Sequence, residues 1–573
     1  RVSGNFLRLI SAPFSGGSFG LKQSIYPYIV LLAAASRISG LPLKWTEDRL
    51  EHLMASSSAA DRADELEAAF ASDGTLLGLR FKNCVNVGAY VRAPEPASVY
   101  RMHAASNGCY AVKNISIQNK LVSTNKMPVG LNRGYGGPQF YYGLERMMDL
   151  TARKLNIDTA EIRRKNFIPE DQFPYHAPAG AIYDSGNYSE ALDLLLKLSN
   201  YENIKRRRKQ ARAAGKLFGI GMGAGVEPSG SNMAYVTLAQ TAEERKRAGG
   251  RSGGTAVASV TIDPTGAVSV NLDSTPAGQG HQTVAAQIVA DILGLSPSKI
   301  NVNTALDTGT GGWSLASGNY SNRFSSIVIT SLTRSAEKIA MKLRKIAANI
   351  LEVATEDIEL VDGGARVVGI PDTAIPIERV AAAAHWDPVS IPTDLEPGLS
   401  DIAYYNPDVL ASPDKEDRVA SALTFGYIFD LAAVEIDPAT GRVTVDCYAS
   451  VHDVGRVLNP IIVEGQIRGG FAHGFGAAMF EELSYDDNGN FLSGSFADYL
   501  CPNASDLPHL EFAHYRTDTP TNPLGSKGMG DGSSMLTPVV MANAVADALG
   551  CEQIDLPLTL NKVWKLVQER KIK

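Results

Sequence analysis

The sequence predicts an α+β fold that is divided into more than one domain. Beyond residue 205, turn-linked pairs of antiparallel β-strands are followed by long helices, which is typical of this class. The chain has 573 residues, which is long for one domain, and 44% of its residues are hydrophobic. A chain of this length and composition is expected to build about two to four cores.

Short apolar strands are predicted to alternate with helices in the first 205 residues. The segment VSGNFLRLISAPF (2–14) is expected to form a strand that enters the turn SGGSFG (15–20). The window YPYIVLLAAASRISG (26–40) is shorter than the roughly 18 apolar residues of a membrane span, so it indicates a packed helix. In QFYYGLERMMDLTARKLN (139–156), apolar residues recur three and four positions apart, which predicts an amphipathic helix.

A domain boundary is expected near the basic segment KRRRKQARAAGK (205–216). Its charge indicates a solvated helix face or a linker rather than a functional surface. We therefore predict a first domain at residues 1–205 and a second at residues 206–573.

Strand pairs are predicted in the second domain. AYVTLAQ (234–240) and TAVASVTIDPTGAVSVNLD (255–273) are expected to form adjoining antiparallel strands, with a Pro-Thr-Gly hairpin turn in the latter. The polar insert TAEERKRAGGRSGG (241–254) has the composition of a loop that is partly disordered. A further hairpin is predicted at AAVEIDPATGRVTVDCYA (432–449).

Helices are predicted at HQTVAAQIVADILGL (281–295) and at residues 326–353. The second has an apolar stripe that indicates a core-facing helix, formed by Val328, Leu332, Ile339, Leu343, Ile346 and Ile350. Near the C-terminus, Thr537 is expected to cap a buried helix, with Pro538 at its first position and Gly550 at its end. Asp531 then lies in the glycine-rich turn before this helix, where it is either a structural turn residue or a functional side chain.

Several function classes are disfavoured by composition and spacing. A net charge of −7 gives no indication of nucleic-acid binding. The five cysteines lie far apart without a CxxC pair, which argues against iron–sulfur or structural zinc ligation and is ordinary for a reducing cytoplasm. The nine histidines form no HExxH motif, and no glycine-rich segment has the Walker or dinucleotide-binding pattern.

Glycine-rich segments that also contain amide or guanidinium groups recur along the chain. Individually each is weak evidence, because such turns mostly serve backbone geometry. Together they indicate backbone N–H groups that surround a large anionic ligand. The segments are SGGSFGLK (15–22), LNRGYGGPQ (131–139), AGQGHQT (277–283), GNYSNR (318–323), EGQIRGG (464–470) and GSKGMGDGSS (525–534).

These motifs resemble, in the same order, those of the molybdenum-cofactor subunit of the xanthine dehydrogenase/aldehyde oxidase family, the molybdenum hydroxylases. The resemblance extends from near residue 10 to near residue 550, and it covers about the C-terminal two thirds of the family pattern. It implies two elongated mixed α/β molybdenum-cofactor-binding domains with the cofactor at their interface. The matching motifs are GGSFGLK, NRGYGGPQ, GQGHQT, VHDVGRVLNPIIVEGQIRGGFAHGFG, FADYLCPNASDLP and GSKGMGDG.

The resemblance implies a role for each matching residue. Asp531 stands where the family has its catalytic glutamate, the base beside the metal, and Arg133 matches the arginine at the metal's oxo side. The metal itself is held by the sulfurs of the pterin, so no protein ligand is expected. The positions implied to bind the cofactor are Gly17, Phe19, Gly20, Arg133, Gln139, Gly278, Gln279, Gly280, Asn322, Arg323, Gln466, Gly528 and Gly530.

The predicted substrate pocket differs from that of purine-oxidising relatives. Arg101, Asn132, Tyr135 and Met222 align with pocket positions. Tyr135 can stack on a ring, whereas Met222 is either a pocket wall or a core residue. Carbon monoxide oxidation is disfavoured, because family members with that activity carry a cysteine where Gly134 stands. Asp531 is one methylene shorter than the glutamate of the family, which is an argument against assigning it the same catalytic role.

The resemblance implies an enzyme that inserts a water-derived oxygen at an electron-poor carbon of an N-heteroaromatic compound. Aldehyde oxidation and a catalytically silent cofactor-binding scaffold are the alternatives. The expected cofactor is a molybdenum-pterin, as molybdopterin or its cytosine dinucleotide form. The hammerhead segment and an early cofactor-contacting segment are absent from this sequence, so we expect them on a separate chain or on a longer polypeptide. The [2Fe–2S] clusters and the FAD are expected on partner chains.

Overall fold

The computed structural model describes residues 3–248 and 253–572. Helices and strands alternate along the chain in a mixed order, and the predicted α+β class is confirmed. The helices are α1 (Tyr26–Ser39), α2 (Arg49–Ala55), α3 (Ala97–Tyr100), α4 (Gly137–Leu155), α5 (Thr159–Asn166), α6 (Tyr188–Leu198), α7 (Tyr201–Ala213), α8 (Ala242–Ala248), α9 (His281–Leu293), α10 (Ile329–Leu351), α11 (Ile377–Trp386), α12 (Pro460–Met479), α13 (Gly532–Leu549) and α14 (Leu560–Ile572).

The strands form two four-stranded sheets, two three-stranded sheets and one two-stranded sheet within the described residues. Their orders are β1-β2-β3, β13-β7-β8-β9, β16-β15-β14-β6, β10-β11-β12 and β4-β5. The strands are β1 (Asp61–Phe70), β2 (Leu76–Asn86), β3 (Asn114–Val122), β4 (Tyr175–His176), β5 (Ile182–Tyr183), β6 (Leu217–Ser229), β7 (Ala256–Ile262), β8 (Val268–Leu272), β9 (Ile300–Asn303), β10 (Ile358–Val361), β11 (Gly364–Val367), β12 (Ile370–Pro376), β13 (Leu399–Tyr405), β14 (Thr424–Ile436), β15 (Val443–Asp453) and β16 (Glu511–His514).

One core surrounds α13, which packs against β6, β14, α4 and α12. Strand β6 pairs with β14 along its whole length, from Leu217 opposite Ile436 to Ser229 opposite Thr424. Glycines in β6 let the α13 backbone approach closely: a Cβ at Gly219 would lie 2.1 Å from the Ala544 carbonyl oxygen. This sheet and helix therefore fix the position at which α13 begins.

A second core lies between α9, α10 and the β13-β7-β8-β9 sheet. The predicted stripe of α10 is confirmed as core-facing, because its members from Val328 to Ile346 are fully buried and Ile350 packs at the edge. The hairpins β7–β8 and β14–β15 are also confirmed, as are the helices α4 and α9. Helix α7 spans residue 205, and the domain boundary placed there stays a prediction.

Two predicted strands are wrong. In residues 3–14, a 3₁₀ turn forms at Gly4–Phe6, and pairing with residues 306–308 is limited to one isolated bridge between Ile10 and Asp307, so no strand forms. Val2 falls outside the described residues. Residues 234–240 form a 3₁₀ helix (Ala234–Ala239) in which side chains bind the backbone locally, as in the bond from Thr237 Oγ1 to the Ala234 carbonyl at 2.8 Å. The polar insert at 241–254 is predicted to be a partly disordered loop, but its residues 242–248 form α8, with Thr241 Oγ1 accepting from the Glu244 amide at 3.3 Å. Residues 249–252 lie outside the described residues.

Two helix predictions need correction. Helix α13 begins at Gly532 rather than after Thr537, because the Asp531 carbonyl accepts from the Met535 amide at 3.1 Å, and Pro538 therefore lies inside the helix. Its end at Gly550, with φ 72°, is as predicted. Helix α1 forms as predicted but is not packed, since none of its fourteen residues is buried and Ile38 is 88% exposed.

Candidate functional site

A cavity of about 1050 Å³ lies between the two cores. Its wall is built from chain segments that are distant in sequence. The lining residues fall within residues 11–23, 131–135, 275–284, 315–325, 454–469 and 526–531, together with Arg101, Met233 and Tyr235. The glycine-rich segments singled out from the sequence each contribute to this wall.

Asp531 lies at the N-terminal end of α13, with its side chain 20% exposed to the cavity. Its carboxylate accepts a hydrogen bond from Arg101 Nη2 at 2.9 Å. The Arg101 side chain is only 4% exposed and also donates to the Pro228 carbonyl at 3.2 Å. Because a charge-assisted hydrogen bond in a partly buried place is strong, Arg101 fixes the direction of the carboxylate.

The turn that carries Asp531 is packed tightly on both sides. A Cβ at Gly528 would lie 2.1 Å from Ser229 Oγ, and a Cβ at Gly530 would lie 2.5 Å from Asn322 Oδ1. The Gly530 amide donates to the same Asn322 oxygen at 3.0 Å. The glycines are thus required by close contact, and the turn has little room to shift.

Arg133 lies on the opposite side of this turn. Its Nε donates to the Gly530 carbonyl at 2.5 Å, and its Nη2 donates to the backbone and side-chain oxygens of Gln466, both at 3.1 Å. The guanidinium also lies 5.8 Å from the centre of the Phe19 ring. Burial lowers the pKa of neighbouring His473 to about 4, so this imidazole is neutral near neutral pH. The acceptors of Arg133 named here are uncharged oxygens of Gly530 and Gln466, so its positive charge remains available to a ligand in the cavity.

Sequence reasoning missed Glu227, a buried residue of β6. Its Oε1 accepts from the Asp531 amide at 2.8 Å and from the side-chain amide of Asn322. Burial, with the charge of Asp531 as the next cause, raises the pKa of Glu227 to about 7. The available clue was a lone carboxylate in the otherwise apolar and glycine-rich run LFGIGMGAGVEPS.

The structure brings most of the predicted site residues to the cavity. Those that line it are Gly17, Phe19, Gly20, Arg101, Asn132, Arg133, Tyr135, Gly278, Gln279, Asn322, Gln466, Gly530 and Asp531. Tyr135 is 7% exposed, and its hydroxyl donates to Glu95 Oε1 at 2.7 Å. The roles of these residues stay predictions, while their convergence is a feature of the structure.

Other predicted residues do not reach the cavity wall. Arg323 is fully buried and pairs with Asp273, with Nη2 2.7 Å from Oδ2, so its charge is already neutralised. Met222 is a fully buried residue of β6, which favours the core alternative over a pocket wall. Gln139 donates to the Ala60 carbonyl at 2.8 Å. Gly280 and Gly528 lie behind the wall, and they shape α9 and the Asp531 turn through their backbones.

The cavity fits an anionic organic cofactor that brings its own metal ligands. Arg133 supplies positive charge, and Gln279 and Gln466 supply carboxamides. A Cβ at Gly16 or at Gly278 would meet nothing within 4 Å, so a ligand can approach the backbone there. Among residues 3–248 and 253–572, no group of three His, Cys, Asp or Glu side chains is placed to hold a metal ion. A metal in this cavity would therefore depend on ligands that the cofactor carries.

In the same part of the chain, no helix has the length and hydropathy needed to cross a bilayer.

Comparison with known proteins identifies the family. Family models described as molybdopterin cofactor-binding domains match residues 2–167 and 194–508. The nicotine 6-hydroxylase large subunit of Paenarthrobacter nicotinovorans is 35% identical over 564 residues, which are 97% of this chain and 65% of that protein. The carbon monoxide dehydrogenase large chain of Hydrogenophaga pseudoflava is 34% identical over 582 residues, covering 99% of this chain and 68% of its relative.

A solved structure shows the same fold. Quinoline 2-oxidoreductase from Pseudomonas putida 86 superposes with a TM-score of 0.85 and 32% sequence identity, covering 97% of this chain and 68% of that one. This chain thus spans about two thirds of the length of the relatives it matches. The matches include both cofactor-binding domains and the site segments, and the chain therefore belongs to the xanthine dehydrogenase family of molybdenum hydroxylases, as a large-subunit sequence.

Proposed function

We propose that this chain is the cofactor-binding catalytic part of a molybdenum hydroxylase that acts on an electron-poor carbon of an N-heteroaromatic compound. The observation that carries the proposal is the Asp531 carboxylate, which faces a large cavity while Arg101 holds it in place. Relatives named for nicotine and quinoline support a heteroaromatic substrate. When bound, the molybdenum-pterin group supplies the redox centre.

The chain's own residues would position the reactants. Asp531 would accept a proton at its carboxylate, because it is the acidic side chain that lines the cavity next to Arg133. Arg101 would keep that carboxylate oriented. Tyr135 and Tyr235 give the neighbouring wall aromatic surface against which a planar ring can pack. Arg133, Gln279 and Gln466 would bind the cofactor.

Carbon monoxide oxidation is disfavoured for this chain, although carbon monoxide dehydrogenase chains are among its relatives. Family members with that activity resemble this loop but carry a cysteine at the position of Gly134. Here Gly134 has φ 86°, and a Cβ on it would lie 2.8 Å from Met535 Cγ. A cysteine would thus have to adopt a strained left-handed backbone conformation and displace the Met535 side chain.

The proposal is tested on the purified natural protein with an electron-accepting dye. Molybdenum and phosphorus contents are measured first, and then dye reduction with matched panels of N-heterocycles and aldehydes. Reduction with heterocycles supports the proposal, whereas reduction with aldehydes alone supports the alternative aldehyde oxidoreductase. Cofactor without turnover of any compound supports the silent scaffold.

We also propose that residues 3–54 are covered by another polypeptide segment in the functional protein. This region exposes large apolar side chains, which marks an interaction surface. Phe6, Phe14 and Ile38 are 82%, 89% and 88% exposed. The proposed neighbours are the hammerhead-like and early cofactor-binding segment, on the same or a separate chain, together with an iron–sulfur chain and an FAD chain. A cofactor-loaded, soluble monomer of 61.2 kDa in native mass spectrometry would refute this assembly.

A further inference from the structure

The carboxyl group of Glu227 is bound asymmetrically beneath the Asp531 turn. Its Oε1 accepts two N–H donors, the Asp531 amide at 2.8 Å and the Asn322 side-chain amide. Within the described residues, its Oε2 is buried and has no hydrogen-bond partner. A Cβ at Gly532 would lie 2.8 Å from that oxygen and 2.2 Å from Ile428 Cδ1, so Oε2 faces a tightly packed, apolar place.

This asymmetry favours a neutral carboxylic acid. An ionised carboxylate shares its charge between both oxygens, and half of the charge would then lie on the buried and unpartnered Oε2. Burying charge without a partner is far more costly than burying a neutral hydroxyl. In the neutral form, Oε1 is the carbonyl that accepts both donors and Oε2 carries the proton.

The charged groups around Glu227 do not neutralise it directly. Arg101 is engaged by Asp531 and by the Pro228 carbonyl, and Arg133 by Gly530 and Gln466. Asp531 is the nearest like charge, and its presence is a cause of the raised pKa of Glu227. Asn322 is the neutral group on the remaining side. An ionised Glu227 would thus add a second negative charge beside Asp531.

We propose that Glu227 is a positioning residue that works in its neutral form: it holds the Asp531 amide and Asn322 through one oxygen and leaves Asp531 as the single negative charge at this end of the cavity. The inference rests on the proposed function for its link to turnover. Its link to structure is independent, because the two hydrogen bonds belong to the folded chain. Ionisation of Glu227 above neutral pH would place negative charge on the unpartnered Oε2 and beside Asp531, and we expect it to lower the rate.

Glu227→Gln tests the idea, because glutamine keeps the accepting oxygen and cannot ionise. We expect the ratio of variant to wild-type kcat/KM to rise by about tenfold between about pH 6 and pH 8.5, as wild-type Glu227 loses its proton. A ratio that stays constant with pH would overturn the proposal. Asp430→Asn is the matched control, because Asp430 is also buried with its pKa raised to about 6 by burial, but it lies outside the cavity wall. Its ratio should not follow pH.

Thermal unfolding of the assembled protein separates this inference from the proposed function. Relative to wild type, Glu227→Gln should gain Tm as pH rises from about 4.5 to about 7, with little further gain above that, even if no substrate is turned over. A Tm difference that is independent of pH would refute a neutral Glu227. Dye reduction that fails for wild type with every compound would instead refute the proposed function and leave the Tm test decisive for Glu227.

Discussion

Replacing Asp531 by Asn is the most direct test of the site. The substitution keeps the size of the side chain and removes its charge. A positioned general base contributes at least about a hundredfold to the rate, so we expect kcat/KM to fall by that factor or more. Molybdenum content should be unchanged, because the atoms of Asp531 that hold the turn, its amide and its carbonyl, are retained.

The structure also sets the effect on stability. Asp531→Asn leaves Arg101, 4% exposed, without its charged partner. Breaking a fully buried ion pair costs about 3–5 kcal/mol, but Asp531 is 20% exposed and Asn still offers an accepting oxygen. Two carbonyls, of Pro228 and Tyr135, also remain within 3.2 Å and 3.4 Å of the guanidinium. We therefore expect a loss of about 1–2 kcal/mol in the free energy of unfolding.

The assays are dye-coupled kinetics, metal analysis and thermal unfolding of the same preparation. Glu464→Gln in α12 is the control, since this carboxylate is 47% exposed and pairs with the exposed Arg468 one turn away. It should change stability by less than about 0.5 kcal/mol. Retention of more than about a tenth of the wild-type activity by Asp531→Asn, with full molybdenum content, would refute the role of Asp531 as the base.

Two further predictions concern the cavity wall and the turn. Tyr135→Ala should raise KM for an aromatic substrate, because the loss of ring stacking removes roughly 0.5–1.5 kcal/mol of binding free energy in addition to the lost contact area. Unchanged kinetics with a lowered Tm would indicate that Tyr135 is a core residue only. Gly528→Ala should destabilise the protein by about 1–3 kcal/mol and lower activity, since its Cβ would lie 2.1 Å from Ser229 Oγ. Gly143→Ala in α4, whose nearest contact would be 3.6 Å away, should be neutral or stabilising; equal effects of the two substitutions would contradict the close-packing argument.

Local patterns predicted the elements whose structure is decided locally. The apolar period of α10 and the Asp-Pro-containing turns of both hairpins are properties of neighbouring residues. The start of α13 is different, because it depends on contacts of Gly528 and Gly530 with Ser229 and Asn322, which are hundreds of residues away. Thr537 and Pro538 have the local chemistry of a helix start, and tertiary packing overrides it.

The site shows the same division. Motif order identified Asp531 and Arg133, but it could not show that Arg323 is engaged by Asp273, fifty residues earlier in the chain. Glu227 was missed because its importance arises from a cross-element contact with the Asp531 amide. Helix α1 has the composition of a packed helix, yet none of its residues is buried. Composition alone therefore does not identify the surface that would cover such a helix.

The short side chain of Asp531 poses a last question that Asp531→Glu can answer. An additional methylene would carry the carboxylate about 1.5 Å farther into the cavity. The turn cannot retreat to compensate, because Ser229 and Asn322 block Gly528 and Gly530. Arg101 is anchored by the Pro228 carbonyl, so it cannot readily follow the longer side chain. We therefore expect the glutamate variant to lose the Arg101 contact and to be slower by roughly ten- to a hundredfold. A faster variant would show that the aspartate is a defect in this chain, and that Arg101 does not set the working position of the carboxylate.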